Sequence, residues 1–228
     1  MQACMLEPLP APAASQSPAA ERVYHQTKEL ILSGAIEGGT LLSEAEVARR
    51  LAVSRTPARE AFVRLEAEGL LSLLPRRGAV VTPLSPTEAV DVLEVRHALE
   101  TGAVTRLARL SATERSRRLS GAAAAIDVQG DALGAGDIPA FIAADEHFHF
   151  TLVGAAQNRL ATNVYGTLGD RQRRMTALAI SVNGERLAHF VPEHRRLLTL
   201  AGDGDVAGFS AQLWNHLRST HAVLAPAL

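Results

Sequence analysis

The stretch LLSEAEVARRLAVSRTPAREAFVRLEAEGLLSLLPRRGAVV, residues 41–81, constrains the fold more than any other part of the chain. Ser43 fits a helix N-cap and Glu46 falls at the third helical position, which predicts a capping box. Val47, Ala48 and Leu51 give that helix one apolar face. After the turn AVS, Ser54 can cap a second helix, and Pro57 fits its first turn, where a missing N–H costs nothing. Ala61, Phe62, Leu65 and Leu70 supply its buried side, and Gly69 ends it. LLSLLPRRGAVV then reads as strand, turn, strand, with Pro75-Arg76-Arg77-Gly78 as the turn. Upstream, ERVYHQTKELILSGAI sets Val23, Leu30 and Ile31 at helical spacing before Gly34. Helix, helix, turn, helix and two-stranded hairpin over 20–82 predict a winged helix-turn-helix domain.

The same stretch crowds Arg55, Arg59, Arg64, Arg76 and Arg77 together in a chain whose net charge is −1. Arg55 and Arg59 are one helical turn apart at the start of the second of those helices. In a helix-turn-helix that helix end enters the DNA major groove, where a guanidinium can take guanine O6 and N7 together. The hydroxyls of Ser54 and Thr56, with the free N–H groups of the helix end, suit phosphate oxygens. Arg76 and Arg77 at the hairpin tip can reach an adjacent groove or backbone, and Gly78 lets the chain turn. Charge alone does not separate this from a solvated surface, because basic residues only just balance acidic ones across 20–82. Placement favours DNA: Glu66 and Glu68 lie at the far end of the helix from Arg55.

At 228 residues the chain is comfortable for two domains. Its single cysteine, Cys4, excludes a disulfide framework and a cysteine zinc site. No stretch approaches the roughly 20 apolar residues of a membrane span, and the start is not a signal peptide. Residues 1–19, rich in Pro, Ala and Ser, are expected to be a disordered tail. A cytoplasmic protein is expected.

Pro83 and Pro86 mark a boundary, after which Ser85 or Thr87 can cap. No convincing strand follows. Helical patterns run at about 87–110, 113–133, 138–156, 158–181, 185–201 and 204–224, which predicts an antiparallel helical bundle over 87–228. The fold class is therefore mostly α. GAAAAI at 121–126 permits close helix contact and is a candidate dimer seam. Arg171, Arg173 and Arg174 read as a solvated helix face.

The second half holds most of the eight histidines. Asp145 and His149 are four apart and share a helix face, while His147 points elsewhere. His194 and His216 lie on two later helices. Buried imidazoles need partners, and a divalent ion would satisfy all four groups together. Spacing does not show that these helices converge.

LAVSRTPAREAFVRLEAEGLL followed by PRRGAVV resembles the signature of the GntR family of bacterial transcription regulators. The resemblance implies that Arg55, Thr56 and Arg59 contact DNA, with Gly78 in the wing. Ala45 departs from relatives that carry a DNA-contacting arginine there; Arg49 or Arg50 is a candidate substitute. VLEVRHALETGAVTRLA, DEHFHFTLVGAAQN, EHRRLLTLAGDGD and HL are similar to the all-helical FCD-type effector domain of the FadR branch. In metal-containing members the ligands fall at positions matching Asp145, His149, His194 and His216. The resemblance implies a divalent metal, Zn²⁺ first with Ni²⁺ or Mn²⁺ as alternatives, and a small organic acid held by the metal and by Arg96. A salt bridge from Arg96 to Glu100 is the structural alternative.

The expected protein is a homodimeric, ligand-responsive regulator, by default a repressor, bound to a palindromic operator in double-stranded DNA. A metal-responsive regulator and a metal-dependent hydrolase are the alternatives. Hydrolysis lacks a general base, because Glu146 points off the ligand face.

Overall fold

The computed structural model describes residues 18–224. The expected tail lies outside the described residues except for its last two positions, which belong to the first helix; Cys4 and residues 225–228 also lie outside them. The described residues form two compact units, one from those up to Glu29 with Gly39–Thr82, the other from Leu30–Gly38 with those from Pro83 onwards.

The first unit holds most of α1 (Pro18–Leu32), then β1 (Leu41–Leu42), α2 (Glu44–Arg50), α3 (Arg55–Ala67), β2 (Leu71–Leu74) and β3 (Gly78–Val81). Helix α1 starts on a proline, whose absent N–H would be unpaired there anyway. Ala58, Ala61, Phe62 and Leu65 form the buried stripe of α3, and Leu70, Leu71, Ala79 and Val81 join them. Leu30 departs from expectation: it is 46% exposed, while Val23 and Ile31 are buried.

The hairpin is tied in register by Leu71↔Val81 and Leu74↔Gly78. A third strand escaped the sequence reading: β1 pairs antiparallel with β3, Leu41 opposite Val80, giving the order β1-β3-β2. At two residues β1 is too short to show an alternating pattern. The capping box is also corrected. Ser43 is at the N-cap, but its side chain makes no cap bond. Glu46 instead accepts from Arg49 at 2.7 Å and Arg50 at 2.7 Å. Two charge-assisted bonds at helical spacing outcompete one bond to a backbone N–H.

The second unit is an antiparallel helical bundle: α4 (Pro86–Leu107), α5 (Ala112–Ala135), α6 (Ile138–Ala155), α7 (Arg159–Gly166), α8 (Gly169–Val182), a 3-10 turn (Gly184–Arg186), α9 (Leu187–Asp203) and α10 (Val206–His221). Side chains of Ser85, Ser111, Asp137, Asn158 and Asp205 cap α4, α5, α6, α7 and α10. Arg115 donates to Gly202 O at 2.7 Å, a cation on the last carbonyls of α9. The single helix expected at 158–181 is two. Thr167 N–H and Leu168 N–H turn back to Val164 O and Tyr165 O, and α8 starts afresh at Gly169. Ala122, Ala125 and Ile126 of the expected dimer seam are buried in the chain's own core. Among the described residues no helix is long and apolar enough to cross a membrane.

Candidate functional site

In the first unit, helix α3 and the hairpin tip frame a groove of about 640 Å³. Arg55, Arg59, Arg76, Arg77 and Gly78 line it, together with Ser43, Glu44 and Ala45 of the α2 start. The four arginines are exposed, and among the described residues none has an ion-pair partner. Ser54 and Thr56 are exposed beside them; Ser54 stands at the N-cap with extended backbone, and its side chain does not cap. Ala45 faces the same groove, so a longer side chain there would enter it. Arg49 and Arg50 are held by Glu46 and do not line it.

Arg64 leaves the cluster. It lies 3.6 Å from the Tyr24 ring centre and pairs with Glu21 at 2.9 Å, fastening α3 to α1. At the tip, Arg77 N–H closes a turn onto Leu74 O at 3.0 Å, with Arg76 at φ 63°. A left-handed non-glycine residue costs roughly 1–2 kcal/mol, and strain of this kind gathers at functional positions. Gly78 is at φ 103°, and a Cβ there would strike the backbone carbonyl of Leu42. Glycine is needed both for the conformation and for the close approach of β1.

In the second unit, Asp145 and His149 on α6, His194 on α9 and His216 on α10 come together. One ligand atom from each lies within 4.8 Å of the others, and all four side chains are buried. His147 is exposed, as expected. Each imidazole has its Nδ1 committed: His149 to Glu100 Oε2 at 2.7 Å, His194 to Gln129 Oε1 at 2.7 Å, His216 to Glu193 Oε2 at 2.6 Å. An acceptor at each Nδ1 fixes the N–H there. In the neutral rings the Nε2 atoms are then bare lone pairs. His194 Nε2 lies 3.3 Å from His216 Nε2 and 3.5 Å from Asp145 Oδ1, and His149 Nε2 is buried with no partner.

Four electron-pair donors within 4.8 Å of one another, with no hydrogen among them, could hold a cation. A proton is disfavoured. Burial pushes His149 below the usual histidine range, and burial with the His216 and His149 charges pushes His194 well below it. The donor set fits a divalent ion, and the residues behind the ligands have the form such sites take. Gln129 also donates to Asp145 Oδ1 at 3.3 Å, and Thr176 to Oδ2 at 3.2 Å.

Glu100 is the hinge of the arrangement. It accepts from His149 on one oxygen; the other takes Tyr165 Oη at 2.6 Å and Arg96 Nε at 3.2 Å. Burial opposes its charge, but His149, Arg96 and these hydrogen bonds outweigh it and hold the carboxyl at about 2. The expected Arg96–Glu100 bridge is present, and Arg96 still keeps Nη2 buried without a partner.

Sequence reasoning missed Glu100 as a ligand support, and it missed Gln129, Thr176, Tyr165 and Glu193 altogether. Polar residues on otherwise apolar helix faces were the available signal. It also missed His221, fully buried with Nδ1 unpartnered and pushed well down by burial and by the charges of Arg96, His216 and His149. The expected solvated face at Arg171, Arg173 and Arg174 is half-buried, with Gln172 among them fully buried; Arg171 donates to Glu88 at 2.9 Å.

Residues 19–81 match the family "Bacterial regulatory proteins, gntR family", and residues 91–219 match the FCD domain. A regulator in the TAR-I ttuE-ttuC' intergenic region of Agrobacterium vitis is 37% identical over 153 residues, 66% of this chain and 90% of that protein. The gluconate operon transcriptional repressor of Bacillus subtilis is 31% identical over 159 residues, 70% of this chain and 64% of its own. A crystal structure described as a putative GntR regulator from Rhodococcus superposes with a TM-score of 0.75 at 20% identity, covering 93% of this chain and all of that one, which supports the fold. The chain belongs to the GntR family of bacterial transcription regulators and carries an FCD domain.

Proposed function

We propose that this regulator is a homodimeric repressor whose grip on a palindromic operator is set by a small carboxylate bound at a divalent metal. Residues 20–82 are the DNA-binding domain in this reading, with Arg55, Thr56, Arg59, Arg76 and Arg77 on the DNA. Residues 87–228 are the effector and dimerisation domain, and the protein works in the cytoplasm. The observation that carries the reading is the buried convergence of Asp145, His149, His194 and His216 beside Arg96. A divalent ion held by these four groups would take a carboxylate oxygen only by expanding beyond four-coordination.

The chain's own residues supply the rest. Glu100, Gln129 and Glu193 hold the three imidazoles in the tautomer that presents Nε2. Arg96, fixed through Nε by Glu100 and Tyr165, presents Nη2 to an anion. The ligands come from three helices, so an effector that pulls on them shifts α6, α9 and α10 together. The repressor sign is supported by relatives named as repressors, among them a probable D-xylose utilization operon repressor of Paenarthrobacter nicotinovorans.

Thermal unfolding against a panel of organic acids, before and after chelation, tests the reading. One acid that raises the midpoint of the metal-loaded protein alone supports it. If no acid has any effect, while chelation alone abolishes operator binding, the protein is instead a metal-responsive regulator.

A further inference from the structure

We infer that Gln172 is a second ligand-reading side chain beside Arg96, and that the effector is a monocarboxylate bearing a hydroxyl group. The inference rests on the effector reading above and deepens it. Gln172 on α8 is fully buried, its amide nitrogen has no partner, and its amide oxygen lies 3.3 Å from Tyr165 Oη. Arg96 on α4 is also buried, its Nε lies 3.3 Å from the same hydroxyl, and its Nη2 has no partner. Each unsatisfied group is therefore joined through a single carbon to an atom near Tyr165 Oη. A buried polar group left unpaired costs roughly 1–3 kcal/mol. Two of them joined at one anchor form a place for a molecule that supplies the missing partners.

The chemistry of that molecule follows from the two groups. Arg96 is a permanent cation with donors only, which suits a carboxylate. Tyr165 has one hydrogen, and its short bond to Glu100 Oε1 at 2.6 Å takes it. With that hydrogen spent, the Gln172 amide pairs with the tyrosine oxygen by turning its N–H to it, which leaves its carbonyl as the acceptor that faces a ligand. A hydroxyl can donate to that carbonyl, whereas a second carboxylate has no hydrogen to give it.

Charge excludes the second carboxylate on separate grounds. Asp145 and Glu100 against Arg96 leave the bare core one negative charge, and a dication reverses that to one positive. Outside it, Arg186 offsets Glu193, and Arg173 acts on Glu146. One carboxylate neutralises the loaded core, whereas two would bury an excess anion.

Isothermal titration of the zinc-loaded full chain decides the matter, using matched acids with and without a hydroxyl: propionate against lactate, butyrate against 2-hydroxybutyrate, with malate as the dianion. The hydroxy monocarboxylates should bind at least about ten-fold tighter than their plain partners and than malate. Gln172→Leu should collapse the lactate-to-propionate ratio towards one and leave propionate affinity in place. Equal affinity within each pair, tightest binding of malate, or a ratio that survives Gln172→Leu would overturn the assignment while leaving the effector reading intact. If no acid binds although zinc stays at one per chain, the effector reading itself falls. Should Gln172→Leu fail to fold, the comparison in the unaltered chain still decides.

Discussion

His194 Nε2 and His216 Nε2 face each other at 3.3 Å, although each ring has already spent its Nδ1 hydrogen on Gln129 or Glu193. Two neutral imidazoles do not attract in that pose. A cation between them would relieve that contact, and the carboxylate of Asp145 on the same side would favour one.

Removing one of these rings should therefore remove the metal. His194→Ala is expected to lower bound divalent metal, read by elemental analysis, from one per chain towards none. The DNA-binding unit should keep its own melting transition, since none of the four ligands belongs to it. Undiminished metal in this variant would take the site out of the account.

The chelated protein should lose stability as pH falls through the histidine range. His149, His194 and His221 are held below 6.5, chiefly by burial. In the unfolded chain these rings take up protons near 6.5, while in the folded chain they stay neutral. Unfolding then absorbs protons, so stability is full above about 6.5 and declines below it. Each ring contributes roughly 1.4 kcal/mol per pH unit. Denaturant titrations between about pH 7.5 and about pH 5.5 read this slope, and His221→Gln should lower it by one proton's worth. A midpoint that does not move across that interval would contradict the burial of neutral imidazoles.

On the DNA side, Arg55→Ala should cost about 1–3 kcal/mol on the operator and relax the sequence preference. Arg77→Ala should weaken specific and random DNA alike by a smaller factor and flatten the salt dependence by about one phosphate contact. Binding measured across a salt series separates the two. Operator affinity unchanged in Arg55→Ala would mean that α3 is not the reading helix.

The winged helix-turn-helix was legible because its signals are local: cap residues, Gly69, and apolar spacing that matches the buried stripe of α3. The four metal ligands were identified by family resemblance, since residues 145 and 216 meet only through the packing of separate helices. Their supports were hidden for the same reason. Nothing in the one-dimensional pattern tells Glu100, which buries both oxygens on His149 and Tyr165, from the exposed Glu94 on the same helix. Strand β1 was invisible because its two residues are ordered by β3 rather than by their own pattern.

That short strand makes the last prediction. Gly78 and Gly69 both hold left-handed backbone, at φ 103° and φ 74°. A Cβ at Gly69 meets nothing within 4 Å, so Gly69→Ala carries the backbone strain alone, roughly 1 kcal/mol. A Cβ at Gly78 carries that strain and also strikes the Leu42 carbonyl, which belongs to β1 and cannot rotate away as a side chain would. Relief requires β1 to part from β3, which gives up the pairing of Leu41 with Val80 and Leu42 with Ala79. Gly78→Ala should therefore destabilise the DNA-binding unit clearly more than Gly69→Ala, by an added 1–3 kcal/mol or so. Amide exchange at β3 should rise towards the unpaired rate in the first variant and not in the second. Equal destabilisation by the two substitutions, with β3 amides still protected, would show that β1 does not brace the wing.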